Sequence, residues 1–205
     1  MRIENINILG VDLGYDSAKF KTKEQKLIFP SLAEEDVAGV LSDTSFEVLK
    51  KRDKATDKFD PEKMIIQLQP GQITNQEGEE FTTYRVGNYV LNQHSASIAY
   101  SLSENKYQEP EEFAKLLSGI CMLFPKADKV VINHLITGLP IKYYQNHKEN
   151  FKRTLESSFK VRFKNVNNEF IPKKIEINKA TVIPQGLASY YDFIMNKEGL
   201  VTTNI

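Results

Sequence analysis

The segment Gly10-Val-Asp-Leu-Gly-Tyr-Asp-Ser-Ala-Lys19 carries the densest chemistry in the chain. A carboxylate, Asp12, closes an apolar β-branched run, a glycine, Gly14, stands at the turn, and a cation, Lys19, stands on the returning run. Phosphate binding needs these parts: a turn whose backbone N–H groups can face phosphate oxygens, a small residue permitting close approach, and a cation that neutralises the charge spread in phosphoryl transfer. Asp12 would sit too near phosphates to help them directly, so its use would be to hold the water shell of a Mg²⁺ between them. The same residues also suit an ordinary hairpin in which Asp12 and Gly14 only make the turn.

Two later segments offer further candidates. Ile136-Thr-Gly-Leu-Pro-Ile-Lys-Tyr-Tyr reads as a strand passing through a glycine turn into a helix, and Val182-Ile-Pro-Gln-Gly-Leu-Ala as a strand running directly into one. Ligands of layered α/β sheets bind beyond the carboxyl ends of the strands, so Asp12, Gly138 and Gln185 would face one crevice. A glutamine there can orient a water for in-line attack without acting as a base; equally, Gln185 can be a polar residue at a helix start.

The elements that must position these residues follow from periodicity. Ile6 to Val11, Ala18 to Lys21 and Lys26 to Phe29 read as strands around tight turns, and Pro30 ends the third. Ser42 to Lys63 is charged and poor in apolar residues, so a surface loop is expected. Met64 to Leu68 and Phe81 to Val86 read as strands on either side of a turn-rich stretch, and Gly87 to Tyr100 as a helix. Phe113, Leu116, Leu117, Ile120 and Leu123 recur at helical spacing behind Pro110, Glu111 and Glu112, which predicts a helix over 110–124 with one buried face. Lys129 to Thr137 is a buried strand and Lys142 to Phe159 an amphipathic helix. Val161 to Phe163, Phe170 to Ile177 and Ala180 to Ile183 are short strands, and Pro184 opens a helix to about Asn196, with strand character again from Leu200 to Ile205. Helices between strands predict an α/β layer architecture.

Composition bounds the function. Lys+Arg and Asp+Glu are both 27, so there is no whole-molecule field to draw the protein onto nucleic acid or anionic lipid. From Lys142 to Lys179 basic residues exceed acidic ones, a run that reads as a solvated face or a docking surface. The single cysteine, Cys121, lies in an apolar run and reads as a small buried hydrophobe of a cytoplasmic protein. No signal peptide or membrane span is expected, and His94, His134 and His147 have no metal-ligand spacing.

GVDLGYDSAK resembles the first phosphate loop of the actin, sugar-kinase and DnaK-type chaperone superfamily. LITGLPIKYY and VIPQGLASYYD, with KLIFPSLAEE and VGNYVLNQ, look like the bacterial and archaeal actin-like proteins, in particular plasmid-segregating ATPases of the ParM/StbA kind. The resemblance implies an actin-like, ribonuclease H-like α/β ATPase fold in which a mixed sheet is flanked by helices. It makes 1–205 an N-terminal actin-like domain, with about 31–108 as a smaller inserted subdomain. It implies that Asp12 organises the Mg²⁺ water shell, that Gly14, Tyr15, Asp16 and Ser17 contact phosphate, that Lys19 reaches the β- or γ-phosphate, that Gly138 lies at the nucleotide, and that Gln185 helps place the hydrolytic water. The cofactors implied are ATP (or GTP) and Mg²⁺. The partners implied are further copies in a filament and a DNA-bound adaptor protein, with no direct nucleic acid or membrane binding. The family's second phosphate loop, a DxGxxT-type turn, has no counterpart among the 205 residues, so this piece alone is expected to be inactive. A sugar-kinase-type phosphotransferase and a non-hydrolysing adaptor module are the alternatives.

Overall fold

The computed structural model describes residues 1–36, 59–69, 80–93 and 109–187. The strands are β1 (Ile3–Leu13), β2 (Ser17–Lys21), β3 (Lys26–Pro30), β4 (Ala33–Glu35), β5 (Met64–Leu68), β6 (Thr82–Val86), β7 (Lys129–Leu139), β8 (Ser158–Lys164), β9 (Phe170–Ile177) and β10 (Ala180–Pro184). The helices are α1 (Asn88–Gln93), α2 (Pro110–Leu123) and α3 (Ile141–Leu155). The loop expected over Ser42 to Lys63, the helix after Gln93, the helix to Asn196 and the strand from Leu200 lie largely or wholly outside the described residues.

All these strands join one mixed sheet in the order β3-β2-β1-β7-β9-β8-β5-β6-β4, with β10 also on β7. β1, β2 and β3 form an antiparallel meander, whereas β1 and β7 run parallel. β9 and β10 lie end to end along the same side of β7 and share one register: Lys129 pairs with Lys174, and Leu135 with Ala180.

Across the parallel trio the alternation of buried and exposed residues changes phase in a single row. Ile132 and Ile177 are buried below it, and Leu9, Leu135 and Ala180 above it. The row itself presents two outward residues in β1 and in β7, beginning with Asn7 and Asn133, and beside them the two residues that join β9 to β10, Asn178 and Lys179. These asparagines are joined side chain to side chain: Asn133 Nδ2 donates to Asn7 Oδ1 (3.3 Å), and Asn178 Nδ2 to Asn133 Oδ1 (3.1 Å). Above the row, Leu9, Val11, Leu135 and Val182 turn to the core, while Gly10, Asp12, Ile136, Gly138 and Ile183 turn to the opposite face.

α2 is buried on nearly every side rather than on one face, because the sheet wraps it, with β1–β3 on one flank and β4–β6 and β8 on the other. Gly119 is where α2 meets β2: a Cβ there would fall into the ring of Phe20, which stacks on Phe29 with centroids 5.6 Å apart. The carboxyl end of α2 is closed by Lys173 of β9, whose ammonium donates to the carbonyls of Pro125 (2.7 Å) and Ala127 (2.6 Å). Those carbonyls belong to the turn beyond Leu123, and a buried cation there also suits the negative end of the helix dipole. Lys173 thus leaves the solvated face that the basic run predicted; only its alternation with Ile175 and Ile177 marks it as inward.

α3 is shorter than its sequence reading. It stops at Leu155, and Phe159 belongs to β8, where Phe159, Val161 and Phe163 are buried at period two. Pro184 ends β10 rather than opening a helix, since Ile183 and Pro184 continue the pairing with Gly138 and Leu139.

Cys121 is fully buried, and burial pushes its thiol up from 9.0 to about 12 against the opposing pull of Lys173. Burial, with the charges of Glu111 and Glu35, likewise pushes Tyr84 up from 10.0 to about 12. Both are acids that folding keeps neutral, so their contribution is intact below about pH 8.5 and is lost as pH rises toward 12, because the unfolded chain ionises first. Urea midpoints are expected to fall between pH 9 and 11 by the equivalent of up to about 4 kcal/mol, the larger share from Cys121, and Tyr84→Phe is expected to remove the smaller share, about a third of that fall. A variant with an unchanged alkaline limb would show that Tyr84 does not cause it.

Candidate functional site

The strand ends converge on a cavity of about 540 Å³ on the open face of the sheet, within the usual size of small-molecule sites. Five of the residues singled out by sequence line it together: Asp12 and Gly14 from the end of β1, Lys19 from β2, Gly138 from β7 and Gln185 from the turn after β10. Register explains the convergence. Asp12 is paired with Lys19, and Gly138 with Ile183, so period two sends their side chains to the same face.

Lys19 Nζ stands 3.9 Å from Asp12 Oδ2, and both side chains are about half exposed, 54% and 52%. A pair this long and this wet holds neither group tightly. At Gly14 a Cβ would lie 3.1 Å from the Ser17 carbonyl oxygen, so a side chain here would push the turn open by a few tenths of an ångström. At Gly138 a Cβ would lie 3.1 Å from Cγ of Gln185, whose side chain crosses that bare stretch of β7. The Gln185 amide donates to the Leu139 carbonyl (2.7 Å), and Gly186, at φ +91°, completes the turn.

The other predicted residues are placed differently. Tyr15 lines a smaller neighbouring cavity, and Asp16 and Ser17 line neither among the described residues. The backbone carbonyl of Asp16 instead accepts from the Ser31 amide (3.0 Å), which ties the hairpin turn to the end of β3.

Sequence reasoning passed over Lys21 and Lys26, which also line the main cavity and face each other across β2 and β3. Like charges directly opposite in a ladder repel, so this wall is prepared for an anion. The signal was available, since Lys21 lies two residues beyond Lys19 on the same strand face. Thr137, 4% exposed, touches both cavities and was missed because it reads as an ordinary strand residue.

The cavity suits Mg²⁺ brought in by a polyphosphate better than a metal held by protein alone. Asp12 offers a hard carboxylate oxygen with room beside it for a water shell, and among the described residues no group of three or more His, Cys, Asp or Glu could hold a metal.

The model of the family described as "Actin like proteins N terminal domain" matches residues 10–187. No curated protein sequence matches the chain. Among solved structures, actin-like protein Alp7A superposes with a TM-score of 0.71 at 12% identity, covering 97% of this chain and 50% of its own. Apo ParM of Bacillus thuringiensis gives 0.62 at 18% identity, covering 97% and 51%, and the same protein is solved with ATP, ADP and AMPPNP. The AlfA filament bound to AMPPNP gives 0.54 at 16% identity, covering 93% and 59%. The chain spans about half the length of these relatives, and the likeness is one of fold. It has an actin-like fold of mixed sheet and helices and belongs to the actin-like proteins, matching their N-terminal domain.

Proposed function

We propose that this chain is the N-terminal, nucleotide-binding half of an ATPase that takes Mg-ATP (or Mg-GTP), assembles into filaments and serves plasmid DNA segregation. The observation that carries the nucleotide reading is the gathering of Asp12, Gly14, Lys19, Gly138 and Gln185 around one cavity at the carboxyl ends of parallel strands. ParM and AlfA, solved with nucleotides, support it by fold. In this reading residues 31–108 are the smaller inserted subdomain.

Each residue then has a task. The turn Gly14 to Ser17 brings backbone N–H groups to the phosphates, and Lys19 neutralises their charge, with Lys21 and Lys26 adding to the positive wall. Asp12 holds the water shell of Mg²⁺, which supplies charge neutralisation across the phosphates when bound. Gly138 keeps the floor bare so that Gln185 can lie over it. Gln185, donor and acceptor in one amide, orients the attacking water and takes no proton itself.

Filament formation follows the AlfA precedent, and a DNA-bound adaptor fits a chain whose formal charge is zero. No helix among the described residues is long and apolar enough to cross a membrane. The test uses full-length protein: light scattering with Mg-ATP, with ADP and without nucleotide over a range of concentrations. A rise with Mg-ATP alone is expected. Flat traces throughout, in protein that binds no fluorescent ATP analogue, would overturn the reading.

A further inference from the structure

Beside the nucleotide cavity is a second one of about 40 Å³, lined among others by Tyr15, Thr137, Gly138, Tyr143, Gln185 and, from α2, Glu112. Glu112 is 6% exposed and forms a salt bridge of 2.6 Å with Lys115, itself 4% exposed. Lys115 Nζ also donates to Ser31 Oγ (3.4 Å), and Ser31 is the residue whose amide holds the hairpin turn at Asp16.

The helix N-terminus favours a carboxylate at Glu112, but it does not require burying that carboxylate against a second charge. Two charges taken out of water cost about as much as their attraction returns, and well-packed apolar residues commonly do as well or better. The pair does put a carboxylate, fixed in place, at the wall of a cavity that also contains the side chain expected to orient the hydrolytic water. A polar cavity needs only about 10–15 Å³ and two to four polar partners to hold a water. Glu112, Thr137 and Gln185, each with a polar side chain, line this cavity together among largely apolar neighbours.

We propose that Glu112, anchored by Lys115, holds an ordered water in this cavity and through it fixes the side chain of Gln185, making Glu112 a positioning residue for nucleotide cleavage. This rests on the nucleotide reading above. Glu112 takes no proton in the step. The attacking water's oxygen bonds to the γ-phosphorus, the bridging P–O bond breaks with its electron pair leaving on the diphosphate, and the water's proton passes to the phosphate released.

The test compares full-length wild type with Glu112→Leu/Lys115→Met, Gln185→Ala and the triple variant. Three readouts serve: melting midpoint, Mg-ATP affinity and single-turnover cleavage. The apolar pair is expected to fold and to bind Mg-ATP within about threefold of wild type, yet to cleave it about tenfold to a hundredfold more slowly, a loss typical of one positioning contact. Gln185→Ala is expected to lose a similar factor, and the triple variant little more, because both changes break one unit. Cleavage at the wild-type rate by the apolar pair, or losses that multiply in the triple variant, would overturn the proposal. Should the apolar pair not fold, a high-resolution structure of the wild type decides: water between Glu112 and Gln185 supports the proposal, and a dry cavity sinks it. Wild-type protein that binds and cleaves no nucleotide would instead remove the nucleotide reading, and this inference with it.

Discussion

Gly119→Val is expected to lower the melting midpoint by about 10 °C, corresponding to about 3 kcal/mol for a domain of this size. At this position even the first carbon of a side chain would enter the Phe20 ring of β2. Phe20 cannot swing aside, because it is 1% exposed and stacked on Phe29. Glycine inside a helix ordinarily costs about 0.5–1 kcal/mol relative to alanine, so a substitution here should stabilise if only helix propensity mattered. Close packing decides the sign. Phe20→Leu in the same chain is expected to recover part of the loss, since it removes the ring that the new side chain strikes. Thermal unfolding of both singles and the double gives the coupling. Additive losses would place the clash elsewhere.

The second large effect is on the ligand. Lys19→Ala in full-length protein is expected to weaken Mg-ATP binding by about tenfold to a hundredfold, the value of one charge-assisted hydrogen bond of about 1.5–3 kcal/mol. The melting midpoint should hardly move, because the half-exposed pair with Asp12 contributes about 0–1 kcal/mol at most. Asp12→Asn is expected to act differently, reducing the dependence of affinity on Mg²⁺ more than affinity for the free nucleotide. Titration of a fluorescent ATP analogue with and without Mg²⁺ separates the two. Unchanged affinity in Lys19→Ala would remove the hairpin from the phosphate site.

Much of this site was legible because it depends on local geometry. A carboxylate, a glycine and a lysine at those spacings define a hairpin with one decorated face, and period two carries Asp12 and Lys19 to it without knowledge of the rest of the fold. Gly138 and Gln185 could be assigned to the same crevice because strand ends in layered sheets converge. Lys21 was passed over although the same period points to it. Phe159 was given to the helix because a phenylalanine four residues after Leu155 fits a helical stripe as well as it fits alternation with Val161 and Phe163.

What the sequence did not disclose are the long-range meetings. Glu112 reads as a residue suited to a helix N-terminus, and Lys115 as a helix surface lysine; only the sheet wrapped round α2 buries them. Gly119 reads as a weak point in a helix until β2 is laid against it. Lys173 reads as one more surface cation until the end of α2 is brought beside β9.

The row of asparagines also has a bearing on how such a domain can change over generations. β1, β7 and the β9–β10 line reach the site at the same remove from an asparagine: Asn7 to Asp12, Asn133 to Gly138, Asn178 to Ile183. Loss of one residue between asparagine and site in a single strand would turn that strand's contribution to the far side of the sheet while its neighbours still pointed correctly. Only a matching deletion in all three strands preserves the arrangement. Length changes should therefore accumulate in the other connections and not in the two-residue link between β9 and β10, while the upper halves of β1, β7 and β10 should vary by substitution alone.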